Sequence, residues 1–449
     1  MQASESIIFG SDLFHIANHF QVITRKSMAI AQCRFSGQPL HHTFVDLGMS
    51  PLANAYLTTE QLKNAEKFYP LHVYISEDSL LVQLEQFETP DQIFSDYAYF
   101  SSYSETWLKH AKAYTDMMVE KFGFNHNSQV IEIASNDGYL LQYFLEKGIP
   151  VLGIEPAANI AKIAQAKGIP SINKFFGIQT AQELFTQGKQ ADLLIGNNVL
   201  AHVPDLNNFV AGMKIVLKQD GILTMEFPHI LQLIQQNQFD TIYHEHFSYF
   251  SFLAVEKIFL AHNLVVFDVE ELPTHGGSLR IYGKHEHADY PVISERVSQI
   301  KAKEIAAGLH QIETYCVFGE KVRQTKQKLL NFVLAAKVQG KSIVGYGAPA
   351  KGNTLLNYCG IGKDFIDYTV DRNPYKQGLF LPGTHIPIFH PDKIRETKPD
   401  YVLILPWNLQ DEIMEQIAFI SEWNGQFVVP IPEVKIYSVT VRNHQLITS

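Results

Sequence analysis

Val130-Ile-Glu-Ile-Ala-Ser-Asn-Asp-Gly138, answered by Gly153-Ile-Glu-Pro156, decides the fold of this chain. The first segment opens with a run that is apolar except for Glu132, as expected of a strand covered on both faces. A tight loop with Asp137 and Gly138 ends it. Residues 140–147 then read as a helix, and 151–154 as a second strand closing on Glu155. Such a βαβ unit surrounds an adenosine-type ligand with loop N–H groups and places the second acid at the ribose hydroxyls. The loop lacks G-x-G-x-x-G and carries two acids instead, Glu132 and Asp137. They would repel a pyrophosphate and attract a sulfonium with its ammonium group. The loop therefore points to S-adenosylmethionine (SAM) over NAD.

Around this unit, residues 129–225 alternate strand and helix in the doubly wound manner, with further strands at 191–196 and 221–226. A helix is expected at 249–261, and paired strands at 264–270 and 278–283. Before it, residues 33–88 form a small unit of short strands, and a helix at 105–122 leads into the central domain. After it, a charged, helix-favouring stretch at 292–339 precedes a second α/β unit that opens with a strand at 341–346. The expected division is an N-terminal extension at 1–32, a small domain at 33–88, a central domain at 89–290 and a C-terminal domain at 291–449. A length of 449 residues suits two or three cores.

Composition narrows the function. The hydrophobic fraction is 46% and the charged fraction 18%, which fits a globular chain. A net charge of −10, with no basic stripe, argues against nucleic acid. No apolar run reaches membrane-spanning length, so no membrane partner is expected. Three cysteines, Cys33, Cys316 and Cys359, make no disulfide framework, and a cytoplasmic protein is expected.

Four segments could carry chemistry. Tyr243-His-Glu-His246 is dense in titratable groups. An H-x-H pair is weak evidence for a metal, whereas Glu beside His suits acid–base chemistry. His202 follows the strand at 191–196, on the side where open α/β sheets bind ligands. Thr274-His-Gly-Gly-Ser-Leu-Arg280 mixes glycines with imidazole, hydroxyl and guanidinium donors, and reads equally as a phosphate-holding loop or a hairpin turn. Gly345-Tyr-Gly-Ala-Pro-Ala-Lys-Gly352, with Asp371 beyond it, is an imperfect dinucleotide fingerprint. A sugar-nucleotide or structural role is favoured there over NAD.

Taken in order, these segments resemble the SAM-dependent sugar C-methyltransferases that act on nucleotide-linked 4-keto-deoxysugars. Asp46-Leu-Gly-Met-Ser-Pro-Leu-Ala-Asn54, Tyr99-Phe-Ser-Ser-Tyr-Ser104 and the segments quoted above carry the resemblance, from about residue 33 to 435. It implies an α/β chain with a Rossmann-like class I methyltransferase centre, a small zinc-binding-type N-terminal domain and a Rossmann-like C-terminal domain. It implies that Glu132, Ala134, Asn136, Asp137, Gly138, Glu155 and Asn197 hold SAM. His246 would be the base, oriented by Glu245, with His202, Tyr243 and Tyr97 at the sugar. His275, Gly276, Ser278, Arg280, Lys351 and Asn353 would bind the nucleotide-diphospho-sugar. The family's four zinc thiolates correspond here to Cys33, Ser36, Ser76 and Ser79, so no metal is expected. Competing readings are a small-molecule O- or N-methyltransferase, a non-catalytic sugar-nucleotide-binding protein and an NAD-dependent oxidoreductase.

Overall fold

Three sheets carry the architecture. The structure, a computed structural model, describes residues 31–89, 101–103, 105–438, 440–442 and 445–447. The first sheet begins as an antiparallel meander of β1 (His42–Ser50), β2 (Tyr69–Ile75) and β3 (Val82–Leu84). β2 alternates Leu71, Val73 and Ile75 inward, the period expected of a strand with one covered face.

The central sheet is built from β4 (Val130–Ile133), β5 (Val151–Ile154), β6 (Ser171–Ile172), β7 (Ala191–Asn197) and β8 (Leu217–Pro228). These run parallel. Every residue of β4 and β5 is buried, because helices cover both faces. After β8 the chain forms β9 (Ser248–Tyr249), then the hairpin β10 (Leu264–Leu272) and β11 (Ser278–His285), which joins antiparallel at the edge of β8. The spatial order is β10-β11-β8-β7-β4-β5-β6. The order reverses at β4, so the crevice at its carboxyl end is where a ligand belongs.

The third sheet, in order β14-β13-β12-β15-β16-β17, is centred on β12 (Ile343–Tyr346), with β13 (Thr369–Val370), β14 (Ile388–Phe389), β15 (Tyr401–Ile404), β16 (Gln426–Val429) and β17 (Lys435–Ser438). The charged stretch before it forms helices Glu295–Ala306, Ile312–Cys316 and Phe318–Val338.

The sheets do not separate cleanly along the chain. β9, two residues beyond His246, pairs with β3 and becomes the fourth strand of the first sheet. One hydrophobic core joins Phe44 and Val73 of that sheet, Leu231 and Phe239 after β8, and Val344 and Val402 of the third sheet. The helix expected from 249 begins at Phe252, because Ser248 and Tyr249 are spent on this pairing.

Candidate active site

The β4 loop is shaped for a ligand. Ala134, Asn136 and Gly138 all adopt positive φ (54°, 49° and 76°). At φ 76° Gly138 is favoured over any residue with a Cβ, which would also stand 2.2 Å from Ile169 Cδ1 and push that methyl aside. Glu132, Ser135 and Asp137 are buried at the loop. One oxygen of Glu132, one of Asp137, the Ser135 hydroxyl and the side-chain oxygens of Asn197 and Asn198 are buried without a hydrogen-bond partner. Buried orphan acceptors at the ends of β4 and β7 are costly. A ligand rich in donors, with an ammonium and hydroxyl groups, fits this set, and that is the chemistry of SAM.

Two details differ from the simple picture of an acid-lined loop. Asp137 is paired with Lys167 Nζ at 2.9 Å and with the Ser102 hydroxyl. Glu132 is raised well above the usual carboxylate range, first by burial and then by Glu155 and Asp137. The loop is thus less negative than its sequence suggests until a cation arrives. Glu155 accepts from Asn136 N (2.9 Å) through one oxygen and from Ala157 N (2.8 Å) through the other. The acid therefore ties the two βα loops together as well as standing at the expected place.

Beyond β7 stands a cluster of aromatic and imidazole rings. His246 lies 4.7 Å from His202 and 4.0 Å from Tyr243 between ring centroids. His246 Nδ1 lies 2.9 Å from the Thr241 carbonyl, which can only accept, so Nδ1 carries the proton and Nε2 keeps the lone pair. Burial, then the neighbouring His202, holds His246 well below the ordinary imidazole range. Burial likewise takes His202 down to about 4, against an opposing hydrogen bond to the Glu245 backbone. Both rings are neutral at pH 7. The expectation that Glu245 orients His246 needs correction: Thr241 does that, and the Glu245 carboxyl turns away to Asn54 Nδ2 at 2.6 Å. Thr241 carries no sequence signal because it acts through backbone, and Asn54, though it closes a segment that carries the family resemblance, lies 191 residues from Glu245, so the pairing could not be read from sequence. Tyr97 lies outside the described residues.

The Thr274–Arg280 segment divides. His275, with φ 54°, meets Asn198 Nδ2 at 3.3 Å and the Trp107 ring at 5.4 Å, facing the ring cluster. Gly276 packs so closely on Trp407 that a Cβ would lie 2.7 Å from its ring. Ser278 and Arg280, expected at the substrate, are committed elsewhere. Ser278 Oγ donates to the Thr274 carbonyl, and Arg280 is buried with ion pairs to Glu226 (3.1 Å) and Glu270 (3.2 Å). Glu226 in turn takes His110 and Thr274, so Arg280 supports the turn that carries His275.

At the Gly345–Gly352 loop, Asp371 accepts from Ala348 N at 2.7 Å, the contact that Glu155 makes with Asn136 N in the central sheet. Lys351, half-buried, stretches across the Trp407 ring (4.6 Å) to Asn408 Oδ1 (2.8 Å). Trp407 donates to Asp240, whose pKa burial raises to about 6 while Lys351 opposes the rise. Lys351 also acts electrostatically on His246 and His275, so this cation faces the ring cluster. Asn353, expected at the substrate, is buried with its Nδ2 on the Ala53 carbonyl at 2.6 Å.

In the first sheet, Cys33 and Ser36 sit in one turn and Ser76 and Ser79 in another. Gly37 and Leu80, each following the second position of its turn, both have positive φ (74° and 58°). Cys33 Sγ lies 3.5 Å from Ser79 Oγ and accepts from Gln83 Nε2 at 3.2 Å. Hydrogen bonds from Ser36, Ser76 and Ser79 outweigh burial and bring the Cys33 thiol down to about 7.

The chain is 34% identical over 409 residues to C-methyltransferase NovU of Streptomyces niveus, covering 91% of this chain and 97% of that protein. The chain belongs to the SAM-dependent C-methyltransferase family. Family profiles described as a putative zinc binding domain, a methyltransferase domain and a C-methyltransferase C-terminal domain match residues 33–94, 107–269 and 273–432 of this C-methyltransferase. Among solved structures, magnesium protoporphyrin IX methyltransferase from Synechocystis PCC 6803 with bound SAM is similar at 13% identity and TM-score 0.31, over 39% of this chain and 78% of that one. The 1,6-didemethyltoxoflavin-N1-methyltransferase of Burkholderia thailandensis is similar at 16% identity and TM-score 0.33, over 46% and 94%. The zinc-binding description does not fit this chain. One thiol and three serine hydroxyls face each other where four thiolates would be needed, and hydroxyls do not replace thiolates for zinc.

Proposed function

We propose that this C-methyltransferase methylates C3 of a nucleotide-linked 4-keto-deoxysugar, by way of an enolate. The observation that carries the reading is His246. Its Nδ1 proton is pinned by the Thr241 carbonyl, and its Nε2 lone pair is left for a substrate beside His202 and Tyr243. A neutral, correctly tautomerised imidazole is what removal of a proton next to a ketone requires.

SAM, when bound, supplies an electrophilic methyl group. Glu132, Ala134, Asn136, Asp137, Gly138, Glu155 and Asn197 are the residues to hold it. His246 takes the C3 proton on Nε2. Tyr243 gives a hydrogen bond to the developing enolate oxygen, contributing about 3 kcal/mol by analogy with single oxyanion donors, while His202, whose one ring proton goes to the Glu245 carbonyl, lines the sugar pocket. Tyr97 is assigned to the same sugar. Lys351 and His275 are assigned to the diphosphate-bearing side, where a fixed cation offsets substrate charge. An anionic substrate beside Lys351 would also raise the basicity of His246, which that cation depresses while the site holds no anion. Arg280, Ser278 and Asn353 act as supports of the walls.

Incubation with SAM and a panel of dTDP- and GDP-linked 4-keto-deoxysugars, read by mass spectrometry, tests the substrate class. A gain of one methylene on a 4-keto sugar, and none on its 4-hydroxy counterpart, is the expected result. Methylation of both alike would remove the ketone, and with it the enolate, from the mechanism.

A further inference from the structure

We propose that Asn54 is the positioning residue for Glu245, delivered into the reacting cleft by the small N-terminal sheet. The inference rests on reading residues 243–246 as the reacting segment. Asn54 Nδ2 donates to Glu245 Oε1 at 2.6 Å, and only the amide nitrogen can serve a carboxylate in this way. Glu245 itself is buried.

The strap around Asn54 is fixed on both sides. Before it, the Ala53 carbonyl accepts from Asn353 at 2.6 Å. After it, the Tyr56 hydroxyl donates to the Ala348 carbonyl, and Leu57 exchanges both backbone hydrogen bonds with Phe380 at 3.0 and 2.9 Å. The C-terminal domain thus clamps a strap of the N-terminal sheet, and the strap holds a side chain of the central domain. Glu245 also holds the reacting segment together, because its backbone carbonyl takes the His202 ring.

The hydrogen bond has a chemical consequence. An ionised Glu245 can only accept, whereas a protonated one can also donate, so its charge sets the hydrogen bonding of the wall behind His202. Titratable groups facing it are Tyr56 of the strap, Lys376 of the C-terminal loops, and His202 at its backbone, with Asp371 beyond Tyr56. Lys376 Nζ is bound to the Ala348 carbonyl at 2.8 Å. Burial raises the Glu245 pKa to about 7, and Asn54 followed by Lys376 opposes the rise. Asn54 therefore helps keep Glu245 an acceptor near neutral pH.

Asn54→Ala, compared with the parent across pH 5.5–9 (about the range where Glu, His and thiol groups titrate), is the test. The expected result is unchanged binding of S-adenosylhomocysteine by calorimetry, a fall in kcat of about tenfold at pH 7, and an acid limb displaced to higher pH. Should that variant not fold, Asn54→Asp gives the same reading, since a second carboxylate displaces the limb further upward. The double exchange Asn54→Asp with Glu245→Gln restores a hydrogen bond in reversed direction. It should recover thermal stability without recovering turnover. An acid limb that stays in place, or full turnover in the double exchange, would overturn the proposal. A parent enzyme that makes no C-methyl product would instead overturn the reading of the site.

Discussion

The base role proposed for His246 depends on one backbone carbonyl. Thr241 fixes the tautomer, and the ring's surroundings keep it neutral. His246→Ala should therefore bind S-adenosylhomocysteine as the parent does while losing turnover by about 10²–10⁴-fold, the usual worth of a positioned base. Calorimetry beside a methyl-transfer assay checks both halves, and near-normal turnover would reassign the base. His202 makes a second, pH-linked prediction. Its pKa is depressed in the fold, to about 4, so between there and about 6.5 the unfolded chain binds the extra proton. Its contribution to stability is complete above about pH 6.5 and is lost as pH falls toward 4. Measured against His202→Asn, the parent's melting temperature should drop progressively over that window. Parallel curves would show that His202 is not neutral in the fold. At this scale the sequence told much about identity and little about partnership. The imidazoles stood out as a dense titratable cluster, but Asn54 and the Thr241 carbonyl are tied to them by three-dimensional placement alone. Arg280 misled because a guanidinium near two glycines looks the same whether it meets a phosphate or a buried Glu226.

Loops and turns carry the next layer. The β4 loop threads three positive-φ residues, and Gly138 is pressed against Ile169. Gly138→Ala should weaken SAM binding and cost about 1–2 kcal/mol of stability, from the left-handed backbone before the clash is counted. Calorimetry and urea unfolding would show it, and an unchanged midpoint would mean the loop relaxes freely. The two facing turns of the first sheet make a different prediction. They keep positive φ after their second positions at Gly37 and Leu80, and they bring Cys33, Ser36, Ser76 and Ser79 together. The triple substitution Ser36→Cys, Ser76→Cys, Ser79→Cys should take up one zinc per chain, with the parent taking up none by elemental analysis. Zinc in the parent at full occupancy would contradict the hydrogen-bonded reading. These elements were largely legible: strand runs and the βαβ loop read from pattern and spacing, and the serine replacements from the family resemblance. β9 was not, because a two-residue strand pairing with β3 has no periodicity to detect.

Across the whole molecule, the first and third sheets share one core with the segment that follows β8, while the central sheet has a core of its own around Val130, Leu193 and Tyr282. The central sheet supplies the cofactor loop and the imidazoles, the third sheet supplies Lys351 and Trp407, and the first supplies the strap with Asn54. The order of the segments along the chain indicated three domains, but only packing reveals that the first sheet borrows β9 from the reacting segment. The proposed mechanism requires His246, Lys351 and the β4 loop to border one cleft. SAM labelled with carbon-13 in its methyl group, incubated with the protein and a dTDP-linked 4-keto-deoxysugar, tests it most directly by NMR. The account predicts a labelled methyl bonded to the sugar carbon adjacent to the ketone. A labelled signal in the O–CH3 region, or label remaining wholly on SAM while the protein binds both ligands, would contradict it.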